Sequence, residues 1–480
     1  MDDRTVTTRR SDIALAEEAD VVVVGGGLAG LTAATRLADA GSKVVLFEAR
    51  ERVGGRTLNH DLGDHKVVEV GGQWVGPTQD HVLALAKSLG VATHPTYDKG
   101  RRILFINGRR VAYRGMVPHI NPVGLLDVAR AMASLGRLSR RIPTDAPWEA
   151  RGAAWLDSQT LASWAHHNVF THMGRMTVEL FSQSIMACEP NEVSLLHFLF
   201  YVRSAGGFRY LTDVVGGAQQ DRFVGGSQLL SQIMAQRLGP EAVHMNSPVL
   251  RIEHGADRVV VYSPEARVTA RRVVVATPPM LAGRISYDPP LPGFRDQLTQ
   301  KAPMGSVIKA LAIYDKPFWR DEGYSGQAAG ECGAVRATFD NCPPGGDPGI
   351  LLGFIEGAHA RRLGQLPEAQ RREEVLDCFV RYFGPKAGRP VDYLEHDWTH
   401  EQWTRGCYGA HFAPGVWTQF GKALRAPIGR LHWAGTETAT VWSGYMDGAV
   451  QSGERAAVEV LEAEATSGAV AAVNRAVLTT

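Results

Sequence analysis

The chain has 480 residues, beyond the roughly 100–200 of a typical single domain, so two or three units folding around substantial cores are expected. Lys and Arg total 51 against 50 Asp and Glu, and the formal net charge of +1 excludes the basic excess that attracts nucleic acid or anionic lipid. Five cysteines, none in CxxC or zinc-finger spacing, exclude a disulfide framework and fit a reducing compartment.

Arg9-Arg10 near the N-terminus is followed by no apolar run of signal-peptide length. No stretch approaches ~18 uninterrupted apolar residues, so no membrane span is expected and the reading is a soluble, cytoplasmic protein. Glu17-Glu18 is expected to lie on a solvated helical face. Val21 to Val24 then forms a continuous β-branched run, as in a strand covered on both faces of a parallel sheet. Gly25-Gly26-Gly27-Leu28-Ala29-Gly30 follows, and apolar residues at Leu28, Leu31, Ala34 and Leu37 with Gly41 beyond give helix spacing and a stop. KVVLFE makes a second strand ending in Glu48.

A strand, a GxGxxG turn, a helix and a second strand ending in an acid about 20 residues on form a dinucleotide-binding βαβ unit. Gly25 permits the tight turn, Gly27 lets backbone approach a pyrophosphate, and Gly30 lets the helix pack on the strand. The helix N-terminus offers free N–H groups to the anion, and Glu48 is placed to accept ribose hydroxyls. Glycine is abundant, 52 residues where an average chain carries ~7%, and much of the surplus falls at such turns.

After Glu48 the chain reads ARERVGGRT and later VGGQWVGPTQD; its C-terminal part carries EQWTRGCYGAHFAPG and LHWAGTETATVWSGYMDGAVQSGERAA. In these motifs, and in EPNEVSLLHFLFYV, DRFVGGSQLL, VVVATPP, YDPPLP and APMGSVIKA between them, residues 18–463 resemble the flavin-containing monoamine oxidases, without the membrane-anchoring tail of the mitochondrial members. The resemblance implies an α/β, overall α+β, architecture: a Rossmann-like FAD-binding domain of the glutathione-reductase type with an interleaved α+β substrate domain. The FAD-binding segments fall at 18–93, 224–298 and 401–463 and the substrate segments at 94–223 and 299–400. An extension at 1–17 and a tail at 464–480 flank them.

By this resemblance Glu48 holds the adenosine ribose and Arg56 reaches the pyrophosphate. Arg50, Gly55, Gly72 and Gln73 line the FAD path, together with Val249 and Trp398. Gly435, Thr436, Tyr445 and Met446 offer backbone to the pyrophosphate and the flavin ring. Cys407 matches the cysteine that carries FAD through a thioether. Tyr408 and Tyr445 match the two tyrosines of an aromatic cage that admits an amine between ring faces. Lys309 matches the lysine that holds a water near flavin N5, where a cation favours negative charge developing on oxygen. Gln219 matches a substrate-orienting glutamine and Phe354 an aromatic wall. Ser184, Ile185, Thr212 and Ala337 fall at gating positions with side chains unlike those of the mitochondrial enzymes, and bulky Phe208 and Tyr210 lie nearby.

The activity implied is oxidation of a primary or secondary monoamine, arylalkyl or cycloalkyl, by O2 and water to aldehyde or ketone, ammonia and H2O2. The partners are thus a small amine and O2, with neither nucleic acid nor membrane; a homodimer is an open alternative to the monomer. A polyamine, putrescine or L-amino-acid oxidase of the same fold is the alternative activity, and a flavin-binding scaffold is a further one. No metal is expected: His166-His167 has no third ligand at metal spacing, and HExxH is absent. Helical periodicity over Gly124 to Leu138 and the strand-like VIKALAIYD fit the substrate domain. Arg371-Arg372-Glu373-Glu374 reads as a solvated helical face.

Overall fold

The computed structural model describes residues 16–64, 66–115, 118 and 121–478, and their side chains except at Ala16, Thr212 and 467–478. The expected extension 1–17, with Arg9-Arg10, therefore lies outside the described residues apart from its last two.

Strand β1 (Ala16–Val24), helix α1 (Leu28–Asp39) and strand β2 (Val44–Phe47) follow one another. The run Val21 to Val24 is buried throughout and pairs in parallel with β2 on one side and with Arg267–Val275 on the other, which is why it needs apolar residues on both faces. Val243–His244 extends the sheet beyond β2. The nine-residue strand Arg267–Val275 divides its far edge, pairing Val259–Tyr262 along its first half and Leu431–Trp433 along Val273 to Val275. Arg251–His254 and Ser286–Asp288 complete eight strands. The sheet thus gathers strands from three distant parts of the chain.

Glu17 and Glu18 belong to β1 and not to a helix. Pairing of Ala16 to Ala19 with Arg267 to Ala270 carries the strand past the apolar run, so ladder hydrogen bonds override the local charge pattern. Glu17 lies near Lys43 and His244 at 3.5 and 3.7 Å.

Position 30 shows why α1 can lie where it does. A Cβ there would stand 1.9 Å from the Gly25 carbonyl oxygen and 3.2 Å from the Ala276 Cβ, so only a hydrogen lets the helix come down on the turn and the neighbouring strand.

A second sheet of seven strands runs in the order Asp392–Asp397, Val307–Tyr314, Gly349–Glu356, Val335–Asp340, Tyr324–Gly330, Arg101–Ile106, Arg109–Tyr113. Val307–Tyr314 and Gly349–Glu356 are buried along their full lengths. On one face Trp319, Phe379 and Tyr382 form a core with the helix Glu368–Phe383, which carries Arg371 to Glu374. Helices Pro122–Ser139, His172–Met186 and Leu195–Ser204 build a separate core around Phe198 and Phe200. His166 and His167 lie in the helix Leu161–Asn168. The long helix Met446–Leu478 packs on α1 and crosses the 463/464 boundary without a break. Among the described residues no helix is long and apolar enough to cross a membrane.

Candidate active site

One cavity of about 1290 Å³ is bounded by residues of both sheets and of the helices Pro122–Ser139 and His172–Met186. From the first sheet come Val24 and Phe47, with Gly25, Gly27, Leu28, Glu48, Arg50 and Val249 from the turns and helix next to its strands; from the second come Lys309, Ala337, Phe354 and Glu356.

The nucleotide side is built around Glu48. Its carboxylate accepts the Gly26 N–H at 2.7 Å and the Arg50 N–H at 2.9 Å, so it is fixed in the cavity wall with lone pairs left for hydroxyl donors. Gly27 begins α1 without a side-chain cap, and the first-turn N–H groups stand where an anion would be stabilised. Gly55 closes on this turn, 3.3 Å from the Gly27 Cα to a Cβ placed at Gly55. An acidic side chain set beside an uncapped helix start in a long cavity fits the adenosine and pyrophosphate of FAD. Arg50 is drawn to the segment after the second sheet, donating to Glu401 at 3.1 Å and to Thr404.

Arg56 donates to both oxygens of Glu437 at 2.6 and 3.1 Å and to the Tyr408 carbonyl at 2.8 Å. Burial penalises both charges, but pairing outweighs it: the guanidinium pKa is raised and that of Glu437 lowered. Glu437 also accepts the Ala410 N–H at 3.3 Å, and the neighbouring Thr436 hydroxyl donates to the Tyr445 carbonyl at 2.8 Å. The turn at 435–437 therefore holds the backbone of both tyrosine segments. From the opposite side Gly305 pins the first of them: Cys407 N–H donates to the Gly305 carbonyl at 3.0 Å, and a Cβ at Gly305 would stand 2.4 Å from the Cys407 oxygen.

On the reacting side, strand pairing sets the array. Lys309 lies opposite Phe354 and Val307 opposite Glu356; since side chains alternate, Lys309, Phe354 and Glu356 share one face of two adjacent strands. The Lys309 amine donates to the Gly71 carbonyl at 2.9 Å and to the Gln73 side chain, and Gln73 in turn donates to Asn341 at 2.6 Å. Burial lowers the Lys309 pKa to about 7 against the opposing pull of Glu69. Phe354 meets Tyr408 edge-on at 6.1 Å, and Tyr445 packs on Trp442 at 4.8 Å and Tyr201 at 5.9 Å. Cys407 lines the cavity, and burial pushes its thiol pKa up to about 12.

Gly72, Thr436, Gly435, Met446, Gln219 and Ile185 also line the cavity. Gln219 donates to the Leu211 carbonyl at 3.3 Å while its buried amide oxygen has no hydrogen-bond partner among the described residues. Two expected positions stand behind the wall. Gly30 serves helix packing, and Trp398 donates its indole N–H to the Val70 carbonyl at 2.9 Å with its ring against Gly71, so it supports the carbonyl that holds Lys309; Trp403 lines the cavity instead. Thr212 ends the helix Phe208–Thr212, and its side chain lies outside the described residues. Glu356 and Asp213 at the cavity, and Glu437 behind it as the partner of Arg56, were not expected. The i, i+2 relation of Glu356 to Phe354 was the available signal for the first; the other two carry none.

Comparison with known proteins shows the family. The family model described as flavin containing amine oxidoreductase matches residues 28–461. A Mycobacterium tuberculosis protein assigned by name to the flavin-containing monoamine oxidases (AofH) is 44% identical over 441 residues, covering 92% of this chain and 96% of its own. Wild-type putrescine oxidase bound to putrescine superposes with a TM-score of 0.90 at 35% identity, covering 93% of this chain and 100% of its own. Cyclohexylamine oxidase from Brevibacterium oxydans does so with a TM-score of 0.89 at 33% identity, covering 92% and 99%. With nearly its whole length matched, the chain belongs to the flavin-containing amine oxidoreductases and uses FAD.

Proposed function

We propose that the protein oxidises a primary or secondary monoamine, arylalkyl or cycloalkyl, with O2 and water to aldehyde or ketone, ammonia and H2O2. The observation that carries this reading is that Tyr408, Tyr445, Phe354 and Lys309 surround the same cavity as the dinucleotide cradle. No group of His, Cys, Asp and Glu suited to a metal occurs among the described residues.

FAD, when bound, supplies the two-electron acceptor for the carbon–nitrogen oxidation. The protein must then bind the amine, orient it, keep water away and leave its nitrogen unprotonated. Tyr408 and Tyr445 present ring faces worth about a kcal/mol to a nitrogen between them. The free Gln219 oxygen accepts an amine N–H. Leu180, Phe181, Ile185 and Phe354 form an apolar wall suited to an aryl or cycloalkyl group and exclude water from the reacting nitrogen. Lys309, held by Gly71 and Gln73, keeps an ammonium or amine at the reacting side, where a cation favours the oxygen half-reaction.

A division into an FAD-binding unit at 18–93, 224–298 and 401–463 and a substrate unit at 94–223 and 299–400 belongs to the same proposal; the strand membership of the two sheets supports it. So does a thioether from Cys407 to FAD, supported by the place of Cys407 in the cavity wall. Acid precipitation tests the thioether: the yellow colour should stay with the pellet, and colour in the supernatant contradicts it.

A diamine is the second reading, favoured by Glu356 and Asp213 at the cavity and by the likeness to putrescine oxidase. Initial rates of peroxide release separate the two. Benzylamine and cyclohexylamine should exceed putrescine; strict preference for putrescine would establish the second reading.

A further inference from the structure

Glu356 is an acid placed among the reacting groups. It is 1% exposed, ends the strand Gly349–Glu356 and lies on the face that carries Phe354 and Lys309. One carboxylate oxygen accepts the Tyr408 hydroxyl at 2.7 Å, and the Ser184 hydroxyl lies 3.5 Å from the other. A buried acid tied to a cavity tyrosine must answer for its charge. We propose that Glu356 takes the proton of the incoming substrate ammonium through the hydroxyl of Tyr408, so that the amine reacts as its free base. This rests on the assignment of Tyr408 to the substrate cage.

The step balances without an oxidant or reductant. An N–H bond of the ammonium breaks and its electron pair stays on nitrogen as the lone pair. The proton forms a new O–H bond at the Tyr408 oxygen while the tyrosine's own proton passes to Glu356. A buried cation and anion become two neutral groups, which a low-dielectric site favours. Over a turnover, RCH2NH3+ with O2 and H2O gives RCHO, NH4+ and H2O2, so the departing ammonia removes the proton and Glu356 returns to its carboxylate.

The surroundings suit an acid that changes charge near neutrality. Burial raises the Glu356 pKa to about 7, against the Tyr408 hydrogen bond, the Arg336 charge and Ser184; Glu189 raises it further. Those groups come from each element packed around it: Tyr408 from the segment after Cys407, Ser184 and Glu179 from His172–Met186, Arg336 from Val335–Asp340, and Glu189 from the turn beyond that helix. Arg336 is itself paired with Glu179 at 3.1 Å, which leaves its charge only partly available to Glu356. Acting through Tyr408, Glu356 is a positioning residue rather than a direct catalyst.

The test compares the wild-type holoenzyme with Glu356→Gln, whose amide oxygen still accepts the tyrosine hydroxyl but takes no proton. The probe is 2-phenylpropan-2-amine, which has no hydrogen on the carbon next to nitrogen and cannot be oxidised. Calorimetry at pH 8 in buffers of differing ionisation enthalpy should show almost no proton released by the wild type. About one proton per amine should be released by Glu356→Gln, by proton linkage. The kcat/KM for benzylamine should level off above about pH 7 in the wild type and climb about tenfold per pH unit towards the amine's own pKa in the variant. Tyr408→Phe keeps the carboxyl but cuts the path, and should release its proton to buffer as Glu356→Gln does; it decides the matter should Glu356→Gln not fold. Equal proton release by wild type and variants, or parallel pH profiles, overturns the proposal alone. A wild type that neither binds the probe nor oxidises benzylamine overturns the cage assignment, and the proposal with it.

Discussion

Lys309 shows how one residue can be hidden and active at once. In sequence it follows the apolar pair Val307-Ile308 and sits in a strand buried along its whole length. Its amine is satisfied by the Gly71 carbonyl and Gln73, without which a buried ammonium would be untenable. Because burial lowers its pKa to about 7, the cation is present below that pH and lost above it. The oxygen half-reaction, followed as return of flavin colour in stopped flow, should therefore slow as pH rises through about 7. In Lys309→Met it should be slower by roughly 10²-fold and independent of pH in that range; reduction by the amine should change only a few-fold. Equal slowing of both half-reactions would assign Lys309 to structure alone. At this scale the sequence exposed residues set in motifs, such as Cys407, Tyr408 and Tyr445. It concealed Glu437, whose meaning comes from Arg56, 381 residues away, and Glu356, whose role depends on the partner strand and on Tyr408.

The elements were most legible where local spacing and tertiary need coincide. β1, α1 and β2 follow their apolar patterns because the strands are covered on both faces and the helix is buried on every side from Leu28 to Ala34. The expected helix over Gly124 to Leu138 lies within Pro122–Ser139, and the strand Val307–Tyr314 takes in all of VIKALAIYD except its last residue, Asp315. Glu17-Glu18 misled because the ladder to Arg267–Val275 outweighs local charge. A glycine inside α1 and one just beyond its end test the packing account. Gly30→Ala should abolish FAD retention and lower stability by at least ~1–3 kcal/mol, since the Gly25 carbonyl cannot move without opening the turn. Gly41→Ala, just past the helix at φ +88° with nothing within 4 Å, should cost only about 1 kcal/mol and leave FAD bound. Urea midpoints and the flavin-to-protein absorbance ratio read both. Comparable losses in the two variants would contradict the close-approach argument.

Across the whole molecule, the first sheet collects strands from three parts of the chain and the second presents Lys309, Phe354 and Glu356 to the same cavity. Such convergence has no local signature, which is why motif order, rather than periodicity, was the sequence's guide to it. The Arg56 to Glu437 pair ties the N-terminal and C-terminal motifs together. Arg56→Ala leaves Glu437 buried without its partner and should lower unfolding stability by roughly 3–5 kcal/mol; a change within about 0.5 kcal/mol, the level of an ordinary surface substitution, would show the tie to be dispensable. The central claim is that this cavity brings an amine and FAD together for oxidation. Anaerobic titration of the holoenzyme with benzylamine and cyclohexylamine tests it most directly: the account predicts loss of the visible flavin band at one amine per flavin, restored with release of H2O2 on admitting O2. A flavin band unchanged by either amine, or by putrescine, would contradict it.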